Sequence, residues 1–306
     1  MYYFALLASI LSFVYTAYTQ TIIHAVVPSA GLGTRFLPFS KAVPKELVPL
    51  LNKAAIEYII QEGIDCGITN FCIITHPSKE ALQNYVSPQP ELVSFLQSVH
   101  KEHLILPTVQ LFEKASFTFV DQPIQYGLGH AIGCAAQTVG NNFFAVMLPD
   151  NYFASSSDLK AMIALAQKYQ ATVIGVEPIA PEKACAYATV QLADQLEDGV
   201  YTVTGLIEKP RADEVTSLFV TTGRSVFHPA IFDILHTLPA GKNNEIQLTD
   251  GTAQLIKQGH RVLAYILQDK RFDLGTPHGW LQANIYLAQK DPAYAEDIKA
   301  ITAMLT

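Results

Sequence analysis

The chain has 306 residues, of which 50% are hydrophobic, and a formal net charge of −7 at pH 7. This length and apolar content suffice for one large α/β domain with its own core. The negative charge excludes a broad nucleic-acid-binding surface, which needs a basic face. A small phosphate site stays compatible with that charge, because such a site needs only a few local cations.

Residues 1–20 form an uncharged, apolar stretch. It is almost long enough to cross a bilayer, but it lacks the positive segment and the clear small-residue cleavage site of a signal peptide. Three interpretations stay open: a membrane anchor, an upstream extension from a wrong start codon, or an apolar helix docked on the body. We prefer a non-catalytic appendage of unknown role, and we treat residues 21–306 as a single domain.

The first predicted element is a buried strand at residues 21–27, followed by a glycine-rich loop at residues 28–46. A short β-branched run predicts the strand, and Pro28 stops it. In the loop, Gly31 and Gly33 allow backbone N–H groups to approach a ligand closely. The loop also holds the first cations of the chain, which are Arg35, Lys41 and Lys45. Together these features predict a polyphosphate site.

Helical and strand patterns alternate along the rest of the chain. Helices are predicted at residues 54–64, 79–85, 91–100, 129–139, 158–169, 277–289 and 293–305, with further helix from Pro229. Strands are predicted at residues 71–75, 117–120, 143–148, 171–176 and 261–267, and a hairpin at residues 187–192 and 201–207. The alternation predicts an α/β fold with a mixed, mostly parallel sheet, helices on both faces and a small β-hairpin excursion.

Charged residues follow two of these strands, at the carboxyl ends where sites in open α/β sheets collect. Asp150 follows strand 143–148, where a carboxylate can hold Mg²⁺ against nucleotide phosphates. Alone, such an aspartate is more often a turn former or helix cap. Glu208 and Lys209 follow the second hairpin strand, and a lysine suits a phosphate that gains negative charge on attack. Alone, they are equally compatible with a solvated ion pair.

The glycine loop matches neither of the two commoner phosphate-binding loops. Phe36 stands where a dinucleotide-binding fingerprint requires glycine, and the Gly-Lys-Ser/Thr of a P-loop is absent. The loop instead reads Gly-x-Gly-Thr-Arg-x-x-Pro, then Ser-Lys and Pro-Lys-Glu. Further motifs follow in order, which are Leu-Pro-Asp at 148–150, Glu-Lys-Pro at 208–210, Gly-Arg at 223–224, Glu-Ile-Gln-Leu-Thr-Asp at 245–250 and Asp-Leu-Gly at 273–275.

This order of motifs resembles the sugar-1-phosphate nucleotidylyltransferases, and most of all the bacterial-type UTP–glucose-1-phosphate uridylyltransferases, over residues 22–290. The resemblance implies a Rossmann-like fold of the nucleotide-diphospho-sugar transferase type. It implies that UMP passes from UTP to glucose 1-phosphate by a Mg²⁺-dependent in-line attack, which gives UDP-glucose and pyrophosphate. The expected partners are these two small molecules, with no nucleic acid, within a homo-oligomer.

The resemblance also assigns roles to individual residues. The residues implied to act on the phosphates are Arg35, Lys45 and Lys209. The nucleotide is implied to contact Ala30, Gly31, Gly33, Gln122 and Gly127, where a side-chain amide and an open glycine backbone suit a uracil edge. The sugar is implied to contact Glu208, Glu245 and Ala188, and Mg²⁺ to bind Asp150 and Asp273. His130, which opens a predicted helix, is interpreted as a capping or packing residue, and Thr249 or Asp250 as a helix cap.

Three positions depart from the family's pattern. Ala188 stands where the family usually has a glycine that faces the sugar. Asn52 stands where the family usually has aspartate, and Asn151 where an acidic or apolar residue is common. Ala188 keeps two alternatives open: a nucleotidylyltransferase for dTTP or another sugar 1-phosphate, and a catalytically weak homologue that binds nucleotide sugar or regulates a partner. In that second alternative, residues 1–20 could provide a membrane contact, which we do not favour.

The four cysteines show no paired metal spacing and lie in apolar stretches, which are around Cys66, Cys72, Cys134 and Cys185. We interpret them as buried, reduced thiols. Reduced thiols fit a cytoplasmic protein.

Overall fold

The computed structural model describes residues 21–305. The strands are β1 (His24–Pro28), β2 (Pro49–Leu50), β3 (Lys53–Ala54), β4 (Asn70–Thr75), β5 (Ser116–Asp121), β6 (Phe144–Met147), β7 (Asn151–Phe153), β8 (Thr172–Pro178), β9 (Thr189–Glu197), β10 (Val200–Ile207), β11 (Phe219–Phe227), β12 (Val262–Ile266) and β13 (Arg271–Asp273). The α-helices are α1 (Ala55–Asp65), α2 (Glu80–Val86), α3 (Pro90–Ser98), α4 (Leu106–Phe112), α5 (Leu128–Gly133), α6 (Ala136–Val139), α7 (Ser157–Tyr169), α8 (Ile231–Thr237), α9 (Leu248–Lys257), α10 (Pro277–Lys290) and α11 (Ala295–Leu305). The predictions for residues 1–20 lie outside the described residues.

Nine strands form one sheet in the order β5-β4-β1-β6-β11-β8-β12-β10-β9. The strands β5, β4, β1 and β6 pair in parallel, as do β8 and β12. Within the sheet, β11 and β10 run against their neighbours. The other strands therefore all point in one direction, and the predicted mixed, mostly parallel sheet is confirmed.

Helices cover both faces of the sheet, as predicted. One hydrophobic cluster packs the sheet against α1, α2, α4 and α7, and a second packs it against α5, α6, α8 and α9. The inner strands β1 and β6 are buried on both faces, which explains their continuous apolar sequences. Each fully buried large side chain in these clusters contributes roughly 1.5–3 kcal/mol to the stability of the fold.

The predicted and observed elements differ at a few places. The helix predicted at residues 129–139 is two helices, α5 and α6, and Gly133, a poor helix former, is the last residue of α5. The predicted hairpin is β9 and β10, and it extends the main sheet at its edge. The sequence did not predict α4, a short helix with proline in its first turn. It also did not predict β11, which occupies the centre of the sheet.

The cysteine prediction is correct in part. All four thiols are free. Burial raises the pKa of Cys66 to about 12 and that of Cys72 to about 11. The prediction of a buried thiol is confirmed for Cys72, whereas Cys66 and Cys134 are only half-buried. It is wrong for Cys185, which is exposed because it lies in a surface 3₁₀ turn at Pro181–Ala186. Across residues 21–305, no helix has both the length and the apolar character that a bilayer crossing requires.

The chain direction brings the predicted site together. Because β1, β4, β5 and β6 are parallel, the loops that follow them emerge at the same end of the sheet. The small sheet of β7 and β13 adds to this end, since it places Asp273 opposite Asn151. The backbone N–H of Leu274 also donates to the carbonyl of Asp150 at 2.7 Å.

A buried ion pair ties this end of the sheet to α1. The Arg224 side chain on β11 is 0% exposed and its Nη2 lies 2.7 Å from Oε2 of Glu62. The same guanidinium donates to the carbonyls of Leu148 and Asn151, at 3.0 and 2.9 Å. These two carbonyls lie on either side of Asp150, so Arg224 fixes the turn that carries it.

We predict that Arg224→Met lowers the free energy of unfolding by about 3–5 kcal/mol, because Glu62 is left buried without its counter-charge. Chemical denaturation monitored by tryptophan fluorescence and circular dichroism would measure this loss. The double variant Arg224→Met, Glu62→Met removes the unpaired charge and should regain about 1 kcal/mol or more. A double variant as unstable as the sum of both single variants would contradict this explanation.

Candidate functional site

Two adjoining cavities open at the carboxyl end of the sheet. The larger one has a volume of about 590 Å³ and the smaller one about 370 Å³. Four residues line both cavities, which are Leu128, Leu148, Asp150 and Glu245. A ligand with two halves could therefore occupy both cavities with Asp150 at their junction.

The smaller cavity contains most of the predicted nucleotide-binding residues. It is lined by Ala30, Gly31, Lys45, Gln122 and Gly127. The Gln125 side chain, which the sequence did not single out, donates to the Ala30 carbonyl at 2.8 Å and also lines the cavity. This hydrogen bond ties the glycine loop after β1 to the loop after β5.

Gly33 lies beside the smaller cavity without lining it. Its φ of 66° is in the left-handed region, and a Cβ at this position would lie 3.1 Å from Cβ of Lys45. The Gly33 carbonyl accepts hydrogen bonds from the Ser40 hydroxyl at 2.8 Å and from the Phe36 N–H at 2.9 Å. Gly33 therefore folds the loop back on itself and leaves room for the Lys45 side chain.

Lys45 forms an ion pair with Asp150, with 2.7 Å between Nζ and Oδ2. Burial acts to raise the pKa of Asp150, but the charge and hydrogen bond of Lys45, together with Arg35, outweigh it and lower the pKa. Burial acts to lower the pKa of Lys45, but Asp150 and Glu46 outweigh it and raise the pKa. Both groups are therefore charged at neutral pH, where they can bind a phosphate and a cation.

A second buried ion pair, which the sequence did not predict, supports the glycine loop. Nζ of Lys79 lies 2.9 Å from Oε2 of Glu46 and donates to the Ser29 carbonyl at 2.6 Å. Burial raises the pKa of Glu46 and lowers that of Lys79. Because Ser29 precedes Ala30 and Glu46 follows Lys45, this pair fixes both ends of the loop. Lys79 follows β4 in a segment with no motif of its own, so no pattern pointed to it.

The larger cavity contains the remaining predicted residues. It is lined by Arg35, Ala188, Glu208, Lys209, Glu245 and Asp273. Glu208 accepts a hydrogen bond from the Thr249 hydroxyl at 2.7 Å, and its other oxygen lies 3.6 Å from Nζ of Lys209. Lys209 has a φ of 42°, an uncommon value for a residue with a side chain.

Thr249 and Asp250 do not cap a helix, so that prediction is wrong. The helix α9 begins at Leu248, its N-cap is Gln247, and no side chain forms a capping hydrogen bond there. Thr249 instead positions Glu208, as described above. The structure places both residues in the first helical turn, past the position that caps.

Asn151 connects Asp150 to the floor of the larger cavity. Its Nδ2 donates to Oδ1 of Asp150 at 2.9 Å, and its Oδ1 accepts from Nη1 of Arg271 at 2.5 Å. A Cβ at position 223 would lie 2.6 Å from Cγ of Asn151, so only glycine leaves room for this side chain. Asn151, which departs from the family's pattern, therefore packs directly against the glycine at position 223.

Asp150 and Asp273 both line the larger cavity, and oxygen donors suit Mg²⁺. Nη1 of Arg35 lies 3.8 Å from Oδ2 of Asp273. Among residues 21–305 no group of three His, Cys, Asp or Glu side chains could hold a metal ion. Mg²⁺ sites of nucleotide enzymes use one or two carboxylates plus substrate phosphates, so the two aspartates fit an ion held jointly with a nucleotide.

His130 contacts the predicted base-recognition residue. Its Nδ1 lies 2.8 Å from Nε2 of Gln122, and its ring meets the Tyr126 ring edge to face at 5.5 Å. His130 caps no helix, because it lies inside α5, whose N-cap is Gly127. Of the two predicted roles, packing is observed, and it brings an interaction with a site residue.

Residues 24–290 match the protein family described as Nucleotidyl transferase. The chain belongs to the nucleotidyl transferase family. A relative from Staphylococcus epidermidis named UTP–glucose-1-phosphate uridylyltransferase is 37% identical over 94% of this chain and 99% of the relative. The family resemblance that the sequence motifs predicted is therefore confirmed.

Solved structures of relatives share the fold of this nucleotidyl transferase. A UTP-bound UGPase from Acinetobacter baumannii has a TM-score of 0.85 at 36% identity, covering 93% of this chain and 100% of that chain. A UDP-glucose pyrophosphorylase complexed with UDP-glucose has a TM-score of 0.80 at 34% identity, covering 88% and 100%. The similarity thus extends over most of the nucleotidyl transferase chain.

The glycine at the entrance to α5 gives a test of the smaller cavity. In this nucleotidyl transferase a Cβ at Gly127 would lie 2.8 Å from both the Ile246 carbonyl and Cβ of Glu245. We predict that Gly127→Ala separates these segments and raises the Kd of UTP at least about 10-fold, as measured by isothermal titration calorimetry.

Gly67→Ala is the matched control, because Gly67 also has a positive φ, 86°, but a Cβ added there would meet no heavy atom within 4 Å. It should cost about 1 kcal/mol of stability from backbone strain and leave the Kd of UTP unchanged. Equal weakening of UTP binding by both variants would show that strain, rather than the contact with residues 245–246, is responsible.

Proposed function

We propose that this nucleotidyl transferase transfers UMP from UTP to glucose 1-phosphate, which gives UDP-glucose and pyrophosphate. The observation that carries the proposal is the pair of adjoining cavities with Asp150 at their junction. Four of the five residues assigned to the nucleotide line the smaller cavity, and the residues assigned to the sugar line the larger one. The names of the relatives and the two ligand-bound structures support the choice of substrates.

In the proposed reaction, an oxygen of the sugar phosphate attacks the α-phosphorus of UTP in line, and pyrophosphate leaves on the opposite side. The attacking group is already an anion, so no protein nucleophile or base is needed. The protein must hold two polyanions together and offset their repulsion. Arg35 and Lys45 serve this purpose at the outer phosphates of UTP, and their place in the loop after β1 supports the assignment.

Lys209 neutralises the charge that develops at the transferring phosphoryl group. A lysine suits this role because its ammonium is a compact point charge with three donors. Lys209 lines the larger cavity, and its Nζ lies 3.6 Å from the Glu208 carboxylate. Glu208 and Glu245 are assigned to the sugar hydroxyls, and Ala188 to the wall beside them.

Asp150 and Asp273 are the proposed ligands of Mg²⁺, which would neutralise phosphate charge when bound. The base and ribose are assigned to Gln122, Gly127, Ala30 and Gly31. The lining of the smaller cavity supports that assignment.

We also keep the predictions of a single domain, a cytoplasmic location and a homo-oligomer. One sheet contains strands from His24 to Ile266, which supports a single domain for the described chain. Four free cysteines support a reducing compartment. Exposed apolar side chains on α10 and α11 support self-association, and they include Leu281, Ile285 and Ile301.

The proposed reaction can be tested by pyrophosphate release from purified protein that lacks residues 1–20. Four nucleoside triphosphates and several sugar 1-phosphates would be combined, each with Mg²⁺ and with excess EDTA. We expect release only with UTP, glucose 1-phosphate and the metal together. Preference for another pair would overturn the substrate assignment, and binding of nucleotide sugar without release would favour the regulatory alternative.

The role of Lys209 predicts that Lys209→Ala lowers kcat by about 10²–10³-fold, because its charge acts on the transition state. The Kd of UTP should change less than about 3-fold, because Arg35 and Lys45 hold the outer phosphates. Steady-state kinetics and calorimetry on the same preparation would separate the two quantities. Lys114→Ala removes one exposed lysine before β5 and should change neither quantity. Equal losses of turnover and UTP affinity in Lys209→Ala would refute the assigned role.

A further inference from the structure

The amide of Gln122 has a defined orientation in the smaller cavity. Gln122 is 3% exposed, and its backbone N–H donates to the Thr75 carbonyl at 2.7 Å. Its Nε2 lies 3.2 Å from the Gly127 carbonyl oxygen and 2.8 Å from Nδ1 of His130. A side-chain amide offers two donor hydrogens at nitrogen and an acceptor at oxygen, so its orientation decides what it presents to a ligand.

The partners of the amide determine this orientation. A backbone carbonyl can only accept, so the atom of Gln122 that faces the Gly127 carbonyl must be the NH₂ group. The second hydrogen of that group points to Nδ1 of His130, which accepts it when the imidazole is neutral with its proton on Nε2. Burial lowers the pKa of His130, which favours the neutral imidazole at pH 7.

With both hydrogens engaged, Oε1 is the atom of Gln122 that is left for a ligand. Oε1 accepts no hydrogen bond from residues 21–305, and it is not among the fully buried unpaired atoms of this part of the chain. Gln122 lines the smaller cavity. The cavity therefore offers a hydrogen-bond acceptor at this point and no donor from Gln122.

We propose that His130 is a specificity-determining residue, which holds the Gln122 amide so that Oε1 accepts a hydrogen bond from the N3–H of a uracil base. This inference rests on the proposed function, in which the smaller cavity binds the nucleotide. Cytosine has an unprotonated N3 at the same place on its edge, so two acceptors would face each other. Thymine shares the N3–H of uracil, so this device separates UTP from CTP but not from dTTP.

The backbone around His130 keeps it in place. The N–H of Gly129 donates to the Ile246 carbonyl at 2.8 Å, and the N–H of Ala131 donates to the Gly127 carbonyl at 3.1 Å. The ring of His130 also packs against Tyr126. The residues on both sides of His130 are therefore anchored, which fixes the position of Nδ1. Nδ1 is one acceptor for the Gln122 NH₂ group, and the Gly127 carbonyl is the other.

Three variants of the full chain separate the acceptor from the packing. His130→Asn can place a side-chain oxygen near the position of Nδ1, whereas His130→Leu has nearly the same size and no acceptor. His130→Phe keeps a ring against Tyr126 and also lacks an acceptor. The Kd values of UTP and CTP would be measured by calorimetry for each variant and for the parent chain, after unfolding midpoints show that the variant is folded.

We expect His130→Leu and His130→Phe to lose about 10-fold of the UTP-over-CTP preference, the lower part of the range for one mismatched base-edge contact. His130→Asn should keep that preference within about 3-fold of the parent. Because two variants lack the acceptor, either one that folds is sufficient for the comparison. A role in packing alone would weaken UTP and CTP by the same factor and leave their ratio unchanged.

Three outcomes overturn the inference, and the first two also show whether the proposed function stands. If the parent chain prefers UTP and the acceptor-free variants keep the same ratio, the proposed function stands and His130 does not set the specificity. If the parent chain binds neither nucleotide, the proposed function fails and the inference fails with it. Loss of the preference in His130→Asn as large as in His130→Leu would also contradict the assigned role of the acceptor.

Discussion

The buried guanidinium of Arg224 is the constraint on which the geometry of the site depends. It crosses from β11 to Glu62 on α1 and donates to carbonyls on both sides of Asp150. An ionised group inside a protein is tolerated only when every donor is satisfied, so its partners cannot move independently. The sheet, the helix layer and the turn that carries the proposed metal ligand are thereby fixed to one another.

Arg224 also lies on a strand that the sequence patterns did not predict. Local patterns predicted most strands and helices, and the motifs predicted residues that the structure brings to two adjoining cavities, because parallel strands end at one edge of the sheet. The strand β11 was not predicted, since its Thr-Thr-Gly-Arg segment has no apolar run and Arg224 is buried only because Glu62 pairs with it. The ion pair of Lys79 with Glu46 joins residues distant in sequence, and the contact of His130 with Gln122 depends on side-chain orientation. A sequence pattern encodes neither of these.

The charges of the site are arranged in pairs. The nitrogen–oxygen distance is 2.7 Å between Lys45 and Asp150. It is 3.8 Å between Arg35 and Asp273, and 3.6 Å between Lys209 and Glu208. In the proposed function, the phosphates of a nucleotide would contact these cations, and Asp150 and Asp273 would hold a divalent cation. These three local cations provide positive charge at the site although the whole chain has a net charge of −7.

The segments proposed to bind the base and the sugar are joined by two backbone hydrogen bonds. The N–H of Ile246 donates to the Tyr126 carbonyl, and the Ile246 carbonyl accepts from Gly129. The first segment carries Gly127 and His130 beside Gln122, and the second begins with Glu245, which lines both cavities. A Cβ at Gly127 would have no space against this second segment, so the two loops pack closely here. The proposed base contact at Gln122 and the proposed sugar contact at Glu245 are thus joined through a short stretch of hydrogen-bonded backbone.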